Sequence, residues 1–163
     1  MFQLIIIRGN SGSGKSTVAQ SLRTRLTCKT ALIEQDYFRR TILKEKDEEQ
    51  NKDILELLLQ TVRLAVSKNY TVILEGILHA AKYREMLLDF RDDFECLTIY
   101  MDVSFEETLR RHKTKPNRHE FGETEMKDWF VPNDLLDVAD EIVIPEGYSL
   151  EQTTEDILGR CYG

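Results

Sequence analysis

The chain has little of what would place it in several large classes of protein. It has three cysteines, Cys28, Cys96 and Cys161, an odd number and far apart in sequence. No C-x-x-C pair occurs, so neither a zinc ribbon nor a disulfide framework is legible, and a reducing compartment is expected. No run approaches the roughly 18 apolar residues that a membrane-spanning helix needs. The apolar opening "FQLIII" is shorter than a signal-peptide core and runs directly into Arg8 and glycine, so cytoplasmic residence is the expectation. Excess basic charge is also missing. A formal net charge of -7 argues against general binding to nucleic acid, which favours a basic face. Repeats, low-complexity tracts and linker-like stretches are absent, and 163 residues are enough for one domain with a real core, expected to span 1–163.

What is present is an alternation of strand-like and helix-like segments. Phe2 to Arg8 reads as a buried strand and Ser16 to Leu26 as a helix. A second strand follows at 30–34. The helix at 53–68 carries Ile54, Leu57, Leu58, Thr61, Val62, Ala65 and Val66 at helical spacing, with Asn69 as its stop. Residues 70–76 form a third strand dense in β-branched side chains. A helix over 80–90 leads to a fourth strand at 96–102. Ser104 and Glu107 have capping-box spacing for a helix through Leu109. A fifth strand lies at 141–144, and Ser149 with Gln152 caps a last helix ending near Arg160. Strands separated by helices predict an α/β fold with a parallel sheet covered on both faces. Ligands of such sheets bind beyond the carboxyl ends of the strands.

One stretch carries specific chemistry. Gly9, Asn10, Ser11, Gly12, Ser13, Gly14, Lys15 and Ser16 fit G-x-x-x-x-G-K-[ST], with a strand before and a helix after. Several backbone N–H groups must meet polyphosphate oxygens at once, and glycines let the chain curl close enough. The helix N-terminus adds its dipole and free amides. Lys15 would reach the β and γ phosphates, the Ser16 hydroxyl would ligate Mg2+, and Thr17 could add an oxygen contact. A GTP-dependent switch is disfavoured. The only Asp-x-x-Gly spacing, Asp156 to Gly159, falls inside the expected last helix, and no N-K-x-D guanine reader occurs.

Together with "EQDYFRR" (34–40) and the basic run of 110–119, this motif makes the chain resemble small P-loop kinases of the nucleoside-monophosphate-kinase-like fold. The nearest group is that of polynucleotide 5′-kinases, zeta toxins and antibiotic O-phosphotransferases. The resemblance spans essentially the whole length. It implies a three-layer α-β-α sandwich, five strands in the order 2-3-1-4-5, and a helical lid at about 110–130. It also implies ATP and Mg2+ as the nucleotide and metal, with a hydroxyl-bearing small molecule as acceptor.

The resemblance also places Asp36 just beyond strand two with Arg39 three residues on, as base and anchor for the acceptor. A plain helix cap at Asp36 is the alternative. Residues 110–119 hold Arg110, Arg111, Lys113, Lys115 and Arg118 with no acid. As a lid, its arginines would neutralise the transferring phosphoryl group, with Arg111 and Arg118 the selected contacts. A solvated helix end is the alternative. Glu75, ending strand three, would face the cradle and bind a magnesium-bound water or a substrate hydroxyl, or else serve loop amides. Asp102 ends strand four similarly, with a cap toward Ser104 as the alternative. His79, with Tyr83 and Arg84, would line the acceptor pocket, an exposed loop histidine being the alternative. Trp129, Phe130 and Phe121 read as packing at the base of the lid. Two other functions stay open: a nucleotide or polynucleotide 5′-kinase, with long nucleic acid disfavoured by the acidity, and a nucleotide-dependent binding protein with slow hydrolysis.

Overall fold

The computed structural model describes residues 1–45, 52–114, 119 and 121–163. Five parallel strands form one sheet: β1 (Leu4–Arg8), β2 (Thr30–Glu34), β3 (Thr71–Gly76), β4 (Cys96–Asp102) and β5 (Ile142–Pro145), in the order β2-β3-β1-β4-β5. The expected order is the observed one. β1 is central because every one of its residues is apolar or can be neutralised in place, and all five are buried. Its register pairs Ile7 with Glu75 on one side and with Ile99 on the other.

The two-residue period of a strand separates the core into layers. Leu4 and Ile6 of β1 join Val72 and Leu74 of β3 on one face. They pack on Ile54, Leu58 and Val62 of α3 (Asp53–Ser67) and on Leu87 and Phe90 of α4 (Ala80–Asp93). Ile5 and Ile7 point to the other face and meet Val18 and Leu22 of α1 (Lys15–Arg25) and Ile157 of α7 (Leu150–Tyr162). Helices therefore cover both faces, giving the three-layer α/β sandwich. Between β2 and α3 lie a short α2 (Gln35–Tyr37) and a π-helical turn, Phe38–Leu43. After β4 come α5 (Phe105–His112) and α6 (Glu123–Trp129). Among the described residues no helix is long and apolar enough to cross a membrane.

Local signals account for most boundaries. Asn69 adopts φ 61° and ends α3, with its N–H on the Val66 carbonyl at 2.9 Å, the left-handed stop that asparagine tolerates. At α7 both halves of the capping box form: Ser149 Oγ accepts from Gln152 N at 3.1 Å, and Gln152 Oε1 accepts from Ser149 N at 2.9 Å. At α5 only one half forms. Ser104 Oγ accepts from Glu107 N at 3.3 Å, but the Ser104 N–H goes to Glu146 Oε2 at 2.9 Å, because Glu107 is drawn to two arginines. Those arginines also explain why α5 runs past Leu109 to His112: Arg110 and Arg111 pair with Glu107 at i+3 and i+4 and suit a helix C-terminus. α4 extends past Phe90 to Asp93, with Arg91 of its last turn donating to Thr98 Oγ1 at 2.8 Å and pairing with Asp140.

Candidate active site

β1 delivers the chain to the centre of the sheet's carboxyl edge, where it must turn into α1. Gly9 takes φ 149°, Gly12 φ 82° and Gly14 φ 96°. At two of these a side chain is also excluded by space. A Cβ on Gly9 would stand 2.9 Å from the Met101 carbonyl oxygen, and one on Gly12 2.8 Å from that of Thr108. The loop thus lies against both the end of β4 and α5. α1 opens without a side-chain cap and without an acid in its first turn, so its leading N–H groups are available to an anion. Lys15 is buried and its Nζ donates to the Asn10 carbonyl at 3.1 Å. The Ser13 hydroxyl is buried without a hydrogen-bond partner. Ser11 is half-buried and Thr17 exposed at the helix start. A concave, acid-free run of amides with a lysine and a lone hydroxyl fits a polyphosphate.

The acidic side of the site comes from β2 and β3. Glu75, at the end of β3 and paired in register with Glu34, is 4% exposed. Its Oε1 accepts from Ser16 Oγ at 3.1 Å, whereas Oε2 is buried without a partner. Burial pushes its pKa above the usual carboxylate range despite the nearby Lys15 ammonium. Because Ser16 donates its proton to Glu75, the hydroxyl lone pairs remain for a cation, so the pair fits a magnesium site.

Asp36 stands one residue beyond Gln35 at the tip of β2. It is not an N-cap: that position belongs to Glu34, and no side-chain cap is made. Instead Asp36 Oδ1 accepts from Arg39 Nη2 at 2.8 Å, and Arg40 Nη1 lies 3.5 Å from Oδ2. Arg39 is buried and also donates to the Glu45 carbonyl at 3.4 Å. A cavity of about 280 Å³ opens beside them, walled by Asp36, Arg39, His79, Tyr83, Trp129 and Val131 among others. Gln35 Nε2 holds the Tyr83 hydroxyl at 3.0 Å, fixing that wall. His79 Nδ1 lies 3.4 Å from Asp134 Oδ2. Arg84, expected beside them, turns away: it bonds the Leu136 carbonyl and stands 3.8 Å from Asp137, since one helical step rotates it off the cavity face.

Arg111 spans three elements. Its Nε donates to Glu107 Oε1 at 2.7 Å, Nη1 to the Ser13 carbonyl at 2.8 Å and Nη2 to the Glu146 carbonyl at 3.0 Å. It joins α5 to the phosphate loop and to the turn after β5. Hydrogen bonds from Arg110 and Arg111 hold the Glu107 carboxyl down at about 2. Arg118, selected with Arg111, lies outside the described residues. Asp102 is exposed and does not cap Ser104, whose N–H belongs to Glu146. Between α5 and α6, Phe121 stacks on His112 at 4.6 Å and meets Trp129 edge-on at 5.2 Å, while Phe130 meets Phe105.

Sequence reasoning missed the support beneath the site. Arg8 is fully buried; its guanidinium pairs with Asp134 and Glu141, each at 2.9 Å, and donates to the Leu78 carbonyl at 3.0 Å. An arginine closing an otherwise apolar strand was the available signal. Asp134 also accepts the Ala80 N–H at the start of α4. Asn10, expected as a phosphate-cradle residue, has a further role: its carboxamide makes two bonds to Val131, Nδ2 to the carbonyl at 2.8 Å and Oδ1 from the N–H at 3.0 Å.

A phosphate loop between β1 and α1, on a parallel sheet ordered 2-3-1-4-5, defines the fold of the nucleoside-monophosphate-kinase-like P-loop kinases. Residues 4–129 match the AAA domain family, and the chain belongs to it. Solved structures of the same fold include the Mycobacterium tuberculosis APS kinase CysC in complex with AMPPNP and APS, at 15% identity and TM-score 0.78, covering 98% of this chain and 97% of that one. The Deinococcus radiodurans tunicamycin resistance protein shares 18% identity with TM-score 0.71, covering 97% and 94%. A gluconokinase from Sinorhizobium meliloti 1021 shares 14% with TM-score 0.69, covering 95% and 89%. No curated protein matches the chain in sequence.

Proposed function

We propose that the protein is a kinase that transfers the γ-phosphoryl group of ATP to a hydroxyl of a small molecule. The observation that carries this is the placement of Asp36 in the wall of a cavity adjoining the phosphate loop, the two being joined through the bonds of Asn10 to Val131. Solved structures of this fold include an APS kinase in complex with AMPPNP and APS and a gluconokinase, and both support a small-molecule acceptor. The volume of about 280 Å³ suits a small acceptor rather than a polymer.

The residues divide the work. The amides of 9–16 and the Lys15 ammonium bind and orient the β and γ phosphates. When bound, magnesium supplies charge neutralisation at those oxygens, and Ser16, backed by Glu75, would hold it. Asp36 orients the acceptor hydroxyl and takes its proton as the new O–P bond forms and the bond from the γ-phosphorus to the departing ADP oxygen breaks. Arg39, tied to Asp36 at 2.8 Å, keeps that carboxylate aimed. Arg111 braces the phosphate loop, and closing of the lid excludes water that would otherwise accept the phosphoryl group. His79 contributes a polar wall for the acceptor. The free thiols of Cys28, Cys96 and Cys161 suit a reducing cytoplasm.

The test is phosphoryl transfer from γ-labelled ATP with magnesium to a panel of nucleosides, nucleotides, short oligonucleotides, sugars and aminoglycosides, with Lys15→Ala as blank. Label is expected on one acceptor class and absent in the blank. Asp36→Asn should then lose roughly 10²–10⁴-fold in turnover while keeping its affinity for ATP. Turnover within a factor of two of the native protein would remove Asp36 from the chemistry.

A further inference from the structure

We infer that Asn10 is a positioning residue that couples the nucleotide site to the acceptor cavity. The inference rests on the kinase reading, which supplies the identity of the two sites. Asn10 sits between Gly9, at φ 149°, and the curled loop, so its peptide lies at the hinge of the cradle. Its carbonyl accepts from Lys15 Nζ at 3.1 Å and from the Ser13 N–H at 3.1 Å. The first donor is the amine that reaches the phosphates, and the second belongs to the amides that cradle them. Loading the cradle therefore changes the forces on this one peptide.

The side chain of the same residue faces the other way. It is 4% exposed, and its carboxamide closes a two-bond ring with both main-chain groups of Val131. That pairing is the match an amide makes to an extended backbone, and it has a fixed orientation. Val131 lines the cavity, and Trp129, two residues earlier, lines it too. A displacement of the Asn10 peptide is carried to this wall through two bonds rather than dissipated in solvent.

The remaining walls are held fixed from the same strand. Arg8, two residues before Asn10, grips the Leu78 carbonyl and Asp134, and Asp134 in turn holds the α4 N-terminus beside His79. The buried Arg8 side supplies a rigid reference, and the Asn10–Val131 side is the part that can shift. The wall formed by Val131 and Trp129 thereby takes its binding position only when the cradle is filled, giving ordered or cooperative use of the two substrates.

Trp129 is the sole tryptophan, packed edge-on to Phe121 at 5.2 Å, so its emission reports this wall without any added probe. The experiment titrates the intact protein with magnesium and a non-hydrolysable ATP analogue, and reads Trp129 emission at saturation with occupancy measured by calorimetry. The native protein should show a nucleotide-dependent shift. Asn10→Ala should bind the analogue and lose the shift. Val131→Pro attacks the same ring from its other end by removing one N–H, and Phe130 at ψ 121° accepts a following proline. It should lose the shift as well, and the double variant should lose no more than either single one. A purely structural role would lower melting temperature but leave the shift at saturation intact. A full shift in Val131→Pro, or in an Asn10→Ala protein shown to be saturated, overturns the coupling, as does a native protein that binds the analogue with no shift. A native protein that does not bind the analogue overturns the kinase reading itself.

Discussion

Replacing Arg8 by methionine should be among the most damaging single changes outside the phosphate loop. The guanidinium is fully buried at the end of the central strand, and it neutralises Asp134 and Glu141, whose side chains are 11% and 3% exposed. Methionine has the length to fill the space but leaves two carboxylates without their cation. Removing one partner of a buried ion pair costs about 3–5 kcal/mol. The lower half of that range applies here, because Asp134 keeps the Ala80 N–H and Glu141 Oε2 keeps the Leu136 N–H at 2.7 Å. For 163 residues the unfolding entropy is about 0.34 kcal/mol per degree, so a loss of about 3–4 kcal/mol lowers the melting temperature by roughly 9–12 °C. The assay is calorimetric melting of native, Arg8→Met, and Arg8→Met combined with Asp134→Asn and Glu141→Gln. The triple variant should regain at least half of the loss, since neutral partners carry no uncompensated charge.

The pH dependence carries its own sign. Burial would raise the Asp134 pKa, but bonds from His79 and Ala80 and the charge of Arg8 outweigh it and hold it below the ordinary value. A carboxylate with a depressed folded pKa stabilises above its unfolded pKa and loses that contribution as pH falls through the folded one. The gap between native and Arg8→Met should therefore narrow as the solution is acidified below about pH 4. A gap under roughly 3 °C at neutral pH, about 1 kcal/mol, or a triple variant no better than the single one, would refute this account of the buried pair.

Two further outcomes follow from the site. Gly12→Ala places a Cβ 2.8 Å from the Thr108 carbonyl at a φ of 82°, so it should cost at least the roughly 1–2 kcal/mol of a left-handed residue, and push α5 off the cradle. Melting temperature should fall by about 3–6 °C and affinity for the ATP analogue by more than tenfold; an unchanged affinity would mean the loop does not cradle phosphate. Glu75→Gln should separate stability from turnover. The raised folded pKa means the ionised form is disfavoured in the native state, so the native protein loses stability as pH rises above about 4.3, the unfolded value. The variant should gain on the native protein as pH rises through that range and match it in acid, while magnesium-dependent nucleotide binding weakens. A variant that melts lower at neutral pH than in acid, relative to native, would contradict the burial argument.

The readable parts of the sequence were those where a local rule and the tertiary demand agree. The strand at the start of the chain is apolar up to its closing Arg8 because a central strand is buried on both faces. The glycines of 9–14 mark the cradle because only they take positive φ against Met101 and Thr108. Asn69 and the Ser149–Gln152 box mark helix ends through bonds within a few residues. Such signals are complete in a short window, so the phosphate loop was legible by motif alone, whereas the strand order came only as what the whole-length resemblance implies.

The partners of long-range polar groups needed the fold. Glu107 reads as half of a capping box, but Glu146, 42 residues from Ser104, takes the other half. Arg8 reaches across 126 and 133 positions to its two acids, and Asn10 across 121 to Val131. No spacing rule encodes such pairs. Buried charge and buried amide must find partners wherever packing brings them, and the packing is decided only when the sheet closes and the segment after α6 is laid against the end of β1.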